Sequence, residues 1–184
     1  QVDVRLNTRV TPELAREMDE LARRNGVSVL GTGINPGMMM DLLAVCLSGV
    51  MQEVRHVRCE RVNSLSPFGE TVMHEQGIGI SREQFERGAR DGSLAGHVGF
   101  QESAAMIASA LGMDVRRFET QMAPILTQVD RRSPHGFAPK GSVAGVNMTA
   151  QAYDGNGEII RLIHPQQIEP ELAGVHTGDY IALS

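Results

Sequence analysis

After Thr11-Pro12, the apolar residues Leu14, Met18, Leu21 and Ala22 recur at intervals of three and four until Asn25-Gly26. That spacing predicts a helix opened by Pro12, with one apolar stripe. Val27 to Leu30 is a short apolar run and predicts a strand, which leads into GTGINPG. From Pro36 to Ser48-Gly49 the chain is apolar on nearly every side of a helical wheel, which predicts a helix buried between layers. Val54 to Asn63 predicts a strand and Ser64 to Gly69 (SLSPFG) a loop. Ser81 with Gln84 forms a capping box for a short helix ending near Gly88. Gly96-His97-Val98-Gly99-Phe100 leads into a helix through Ala104, Ile107, Ala108 and Leu111, closed by Gly112. Val115 to Val129 predicts a long strand broken at Pro124, and Arg131 to Gly141 has the composition of a mobile loop. Ser142 to Tyr153 and Glu158 to His164 alternate as strands around Asp154-Gly155-Asn156-Gly157, a hairpin signal, and Thr177 to Leu183 opens one more strand.

GTGINPG raises the question of a nucleotide site. Gly31, Gly33 and Gly37 give GxGxxxG, one residue longer than the phosphate-binding GxGxxG, and Pro36 removes a backbone donor from the turn. An opening nucleotide turn also needs an acidic residue at the end of the next strand, about 20 residues on. Glu60 comes later than that and lies inside its strand. Since a helix and a strand precede it, GTGINPG suits a late turn of a nucleotide fold better than the first.

Composition narrows the classes. The net charge of -5 shows no basic excess, which argues against nucleic acid and against an anionic membrane surface. The longest apolar run, Met38 to Val50, is interrupted by Asp41 and is too short to span a bilayer. Trp is absent, which disfavours stacking platforms, and the ten Met residues suit core gaps or contact surfaces. Cys46 and Cys59 have no metal-ligand spacing and read as reduced, buried thiols of a cytoplasmic protein. HExxH, CxxC and GxSxG are all missing, so no metal site and no serine nucleophile is expected.

Four groups are candidates for chemistry. Asn35 sits at the end of a strand, at a turn into a helix, where open sheets collect ligands; the alternative is a plain turn residue. Arg61 and Asn63 fall on the same side of one strand, about 7 Å apart, within reach of one ligand or simply at a solvated strand end. His97 is framed by glycines and precedes a helix N-terminus, which favours neutral imidazole. His164 follows Ile160 and Leu162 on one strand face, as a ligand or as a core-edge histidine. His74, Glu75 and Glu102 lie near these segments without a fixed spacing.

The order GTGINPG, RVNSLSPFGETVM, GHVGFQESAAMIASALG and IRLIHPQQIEPELAGVHTGDYI resembles the 2,4-diaminopentanoate dehydrogenase family, over essentially the whole chain from Thr11 onward. That family is related in fold to dihydrodipicolinate reductase and the native amine dehydrogenases. The resemblance implies an α+β fold: an open mixed β-sheet with helices on one face, preceded by the last α-β unit of a Rossmann domain that holds NAD or NADP. Residues 1–33 are then the end of the nucleotide domain and 34–184 the substrate-binding and oligomerisation domain, with both ends cut. Gly33, Asn35 and Pro36 fall where the family contacts the nicotinamide. Arg61, Asn63, His97 and His164 fall on the substrate pocket. The family carries a glutamate, the expected proton acceptor, shortly before the helix that begins here at Pro12. This chain has Val2-Asp3 at about that place, so either Asp3 substitutes or the acid is missing.

The activity implied is oxidative deamination of a 2,4-diamino acid, in ornithine degradation, by a homodimer or larger homo-oligomer. A base must take the ammonium proton and later activate water, and a cation must hold the carboxylate. Arg61 suits the carboxylate, and neutral His97 or His164 the proton. One rival is a non-catalytic ligand-binding or oligomerisation domain that has lost the chemistry. The other, a dihydrodipicolinate reductase, ranks lower because SLSPFGET has no Lys beside a Ser-Gly-Thr turn.

Overall fold

The structure is a computed structural model that describes residues 12–31 and 33–184. Asp3 lies outside the described residues. Five strands form one sheet in the order β2-β5-β6-β1-β7, with β1 (Val57–Ser64), β2 (Arg117–Leu126), β5 (Val143–Tyr153), β6 (Glu158–Gln167) and β7 (Gly178–Leu183). The β1–β6 pair is parallel and the other pairs are antiparallel, so the sheet is mixed. Alternation sets its faces: Val57 and Cys59 on β1, Val146, Met148, Ala150 and Ala152 on β5, and Ile160 and Leu162 on β6 form one apolar surface. Onto it pack α2 (Leu42–Ser48), α4 (Arg82–Asp91) and α5 (Phe100–Leu111) through Ala44, Phe85, Phe100, Ala104, Ile107 and Ala108. Burial of a side chain such as Ile160 or Leu162 contributes about 1.5–3 kcal/mol. A smaller cluster at one end joins Leu65, Met73 of α3 (Glu70–Glu75), Ala138, Ala144 and Ile168.

Local signals formed as the residues dictate. The Ser81–Gln84 capping box is present, with Gln84 N donating to Ser81 Oγ at 3.2 Å and Ser81 N to Gln84 Oε1 at 2.8 Å. Gly112 closes α5 with φ 68°. Asp154 Oδ1 accepts from the backbone of Asn156 and Gly157 and shapes the β5–β6 turn.

Other expectations are corrected. Val27 to Leu30 forms no strand, because no described strand offers it a ladder. In α1 (Pro12–Arg24) the stripe Leu14, Met18 and Leu21 is exposed, and Val27 and Leu30 are exposed with it. The helix after Pro36 begins only at Leu42, since residues 36–41 form turns. It is not buried all round: only Ala44 is buried, and Cys46 is exposed, unlike Cys59. Burial pushes the Cys59 thiol up to about 12, with the charge of Asp41 adding to it. Helix α4 runs past Gly88 to Asp91 and ends on left-handed Gly92.

The three remaining corrections share a cause. Strand β2 continues through Pro124, which is opposite Val146 on the free edge of the sheet, where its nitrogen faces outward and no ladder bond is lost. Strand β6 likewise continues through Pro165 to Gln167. Arg131 to Gly141 is no mobile loop: β3 (Arg131–Ser133) and β4 (Gly136–Ala138) form a hairpin anchored by buried Arg131. That guanidinium donates to Thr127 Oγ1, Gln167 Oε1 and the Ile168 carbonyl.

Candidate active site

The apolar face of the sheet turns polar toward one end. The β1–β6 register, with Glu60 opposite Ile163 and Asn63 opposite Gln166, sets Arg61 beside His164. On the other side of β6, Met148 is opposite His164 and Val146 is opposite Gln166. Beyond Met148 comes Met122 of β2. Two rungs result, Met122–Met148–His164–Arg61 and Val146–Gln166–Asn63, directly after the apolar rung of Ala150, Leu162 and Cys59. The Arg61 guanidinium is mostly buried and lies 3.6 Å from the Asp179 carboxylate on β7.

Pro165 shapes the first of these rungs. In a parallel ladder the carbonyl of Arg61 would accept from the N–H of residue 165, and proline has none. The β1–β6 pairing indeed skips Arg61 and Val62. The His164 ring fills the gap, with Nδ1 2.7 Å from the Arg61 carbonyl oxygen. Burial presses the His164 imidazolium down to about 4; the Arg61 backbone bond opposes this, and the neighbouring His97 and Arg61 add to it.

The segment 96–99 closes over this floor. Gly96 adopts φ 58°, a conformation side chains rarely take, and a Cβ there would press on Met122 Sδ at 2.7 Å and Met148 Sδ at 3.0 Å. Gly99, at φ 97°, receives the ring of Pro36 where its own Cβ would be. His97 is thereby held edge-on to His164, 4.8 Å between ring centres, and 5.2 Å from Phe100. Its Nε2 is buried without a partner. Burial lowers its pKa, Arg61 lowers it further, and the Asn35 backbone works the other way.

The turns of residues 33–41 supply the third wall. Asn35 donates from Nδ2 to Met40 Sδ at 3.0 Å, while its Oδ1 is buried and unpartnered. Gly33 packs its bare Cα against the Pro36 carbonyl. Asp41, fully buried, accepts from the Gly37 N–H at 2.8 Å, the Leu42 N–H at 2.6 Å and Ser103 Oγ at 2.8 Å, which ties residues 37–42 to α5.

The structure therefore gathers Asn35, Pro36, Arg61, Asn63, His97 and His164 at one end of the sheet, with Gly33 behind them. Sequence reasoning missed Gln166, Asp41, Met122 and Met148. For Gln166 the signal was the alternation Ile160, Leu162, His164, Gln166, hidden by ending the strand before Pro165. Among the described residues, no group of three or more His, Cys, Asp or Glu is arranged to hold a metal ion, and no helix is long and apolar enough to cross a membrane.

Comparisons with known proteins agree with this architecture. Residues 38–184 match the family model of the 2,4-diaminopentanoate dehydrogenase C-terminal domain. The 2,4-diaminopentanoate dehydrogenase of Acetoanaerobium sticklandii is 57% identical over 175 residues, which cover 94% of this chain and 49% of that protein. The amine dehydrogenase from Mycobacterium smegmatis shares the fold with a TM-score of 0.77 at 19% identity, covering 98% of this chain and 52% of the other. The chain thus spans about half the length of the relatives it matches.

Proposed function

Because this chain belongs to the 2,4-diaminopentanoate dehydrogenase C-terminal domain family, we propose that it supplies the substrate-binding part of a cytoplasmic NAD(P)-dependent dehydrogenase. The reaction is oxidative deamination of a 2,4-diamino acid such as 2,4-diaminopentanoate, giving 2-amino-4-oxopentanoate and ammonia. On this reading residues 1–33 end the nucleotide domain and 34–184 form the substrate domain. The observation that carries the proposal is buried His164 and half-buried His97, set edge-on with their pKa values lowered, beside the mostly buried Arg61.

Their chemistry fits a zwitterion. Arg61 and Asn63 donate to a carboxylate, and Arg61 offers the bidentate fork. Since a carbonyl only accepts, His164 carries its proton on Nδ1 and presents a bare Nε2. His164 Nε2 and the unpartnered His97 Nε2 accept hydrogen bonds from the substrate ammonium and later from the water that adds to the imine, and relay each released proton onward to solvent or to the departing ammonia. The unsatisfied Oδ1 of Asn35 fits the amide donor of a nicotinamide, so Asn35, with Gly33 and Pro36 shaping the turn, would hold that ring. When bound, NAD or NADP accepts the hydride from the amine-bearing carbon.

The second face of the sheet carries Thr149, Ile163 and Tyr180, outside the core cluster that the helices pack on, with Tyr180 exposed. A homodimer or larger homo-oligomer formed through this face would bury Ile163 and Tyr180, and light scattering of the intact protein should show more than one protomer. The function is tested with the complete enzyme: 2,4-diaminopentanoate should drive the appearance of reduced nicotinamide and release ammonia. Binding of the diamino acid with no turnover under any nicotinamide cofactor would instead identify a binding domain.

A further inference from the structure

We propose that Gln166 is a further substrate-binding residue whose side-chain amide donates to the substrate carboxylate beside Arg61 and Asn63. This rests on the site being one for a carboxylated amine. Gln166 is 7% exposed, and its Nε2 is buried with no acceptor in reach. A buried amide donor is almost always paired in a native protein, so an idle one calls for an acceptor from outside.

The neighbouring glutamine shows the contrast. Gln167 is on the other side of the strand, and its Oε1 accepts from Arg131 Nη1 at 2.6 Å, so it is fixed in the fold. Gln166 shares the face of His164 and forms a rung with Asn63, one step along β1 from Arg61 on that face. The Asp179 carboxylate of β7 is turned to Arg61. Arg61, held only by the 3.6 Å ion pair to Asp179, Asn63 and the unpaired Gln166 amide therefore put three donors on one face. A carboxylate, which offers about four lone-pair sites, satisfies all three at once. An amine without that group leaves the Gln166 amide unused.

The experiment compares 2,4-diaminopentanoate with butane-1,3-diamine, which differs only in lacking the carboxylate. In the isotope-labelled chain, the Gln166 amide resonance, assigned by its loss in Gln166→Leu, should shift with the diamino acid and stay still with the diamine. In the complete dehydrogenase, Gln166→Leu should raise KM for the diamino acid about tenfold or more, the loss expected for one bond to a charged group, and leave the diamine unaffected. Gln166→Glu, which opposes one carboxylate with another, should be worse than Gln166→Leu. An amide that does not move, or equal losses for both compounds, would overturn the inference. If the wild type turns over the diamino acid and Gln166→Leu keeps its KM, this inference fails while the function stands. If the wild type binds it, moves the Gln166 amide and never turns over, the function fails and the carboxylate contact stands.

Discussion

His164 donates from Nδ1 to the backbone carbonyl of Arg61 over 2.7 Å, at the one rung where the strand ladder offers that oxygen no N–H. Side chain and backbone have exchanged roles: the proline that follows the histidine vacates an acceptor, and the histidine takes it. The tautomer that results directs a lone pair, not a proton, away from the sheet.

Restoring the missing donor should undo this. Pro165→Ala supplies an N–H to the Arg61 carbonyl, in competition with the ring. The expected outcome is a loss of the Nδ1-protonated form of His164 toward the opposite tautomer, read from ring nitrogen shifts in the folded protein. A ring that keeps its proton on Nδ1 in Pro165→Ala would show that the proline is incidental.

Stability should depend on pH through the same histidine. Its folded pKa of about 4 lies below the ordinary value of 6.5, so the unfolded chain takes up the proton first as pH falls. The contribution is present above 6.5 and is lost between there and about 4, up to about 3 kcal/mol at one pKa unit per 1.36 kcal/mol. His97 shifts in the same direction. Denaturant titrations across this window should show the decline in the wild type and a shallower one in His164→Asn, whose side chain does not titrate.

Arg61 and His97 should separate by kinetics in the complete enzyme. Arg61→Ala should cost roughly 2 to 4 kcal/mol in kcat/KM for the diamino acid and much less for an amine without a carboxylate. His97→Asn should lower kcat for both, with a changed pH profile. Equal losses for both compounds in Arg61→Ala would make the arginine structural.

Gly99→Ala tests the clamp between the Pro36 turn and α5. The added carbon would come within 2.5 Å of Pro36 Cδ at a φ of 97°. Strain and overlap together should cost roughly 2 to 4 kcal/mol by denaturant unfolding. The same substitution at Gly92, which has open space around it, meets only the backbone penalty and should cost less.

What could be read from the residues was whatever depends on near neighbours. The capping box at Ser81, the turn at Asp154 and the helix through Ile107 each carry their determinants within a few positions. Pro124 and Pro165 were misread as breaks because a proline's effect in a strand depends on which way its nitrogen faces, and that is decided by strands remote in sequence. The hairpin at Arg131 looked like loose chain for the same reason: Gln167 and Ile168, which anchor it, are far along the sequence. At the site, glycines around His97 and alternation at Arg61 and Asn63 were legible, and family resemblance joined them. Gln166 and the pinning of Asp41 by Ser103 were not, since both depend on what the fold brings opposite.

Pro124 has a consequence for how this protein behaves in a crowded solution. The outer side of β2 is the place where a stray strand from an unfolding neighbour would zip on, one hydrogen bond after another. Pro124 leaves a gap in that row of donors, and Arg117 and Glu119 put charges at its start. Sheet growth at this border is interrupted, so sticking between copies by runaway strand addition is discouraged there.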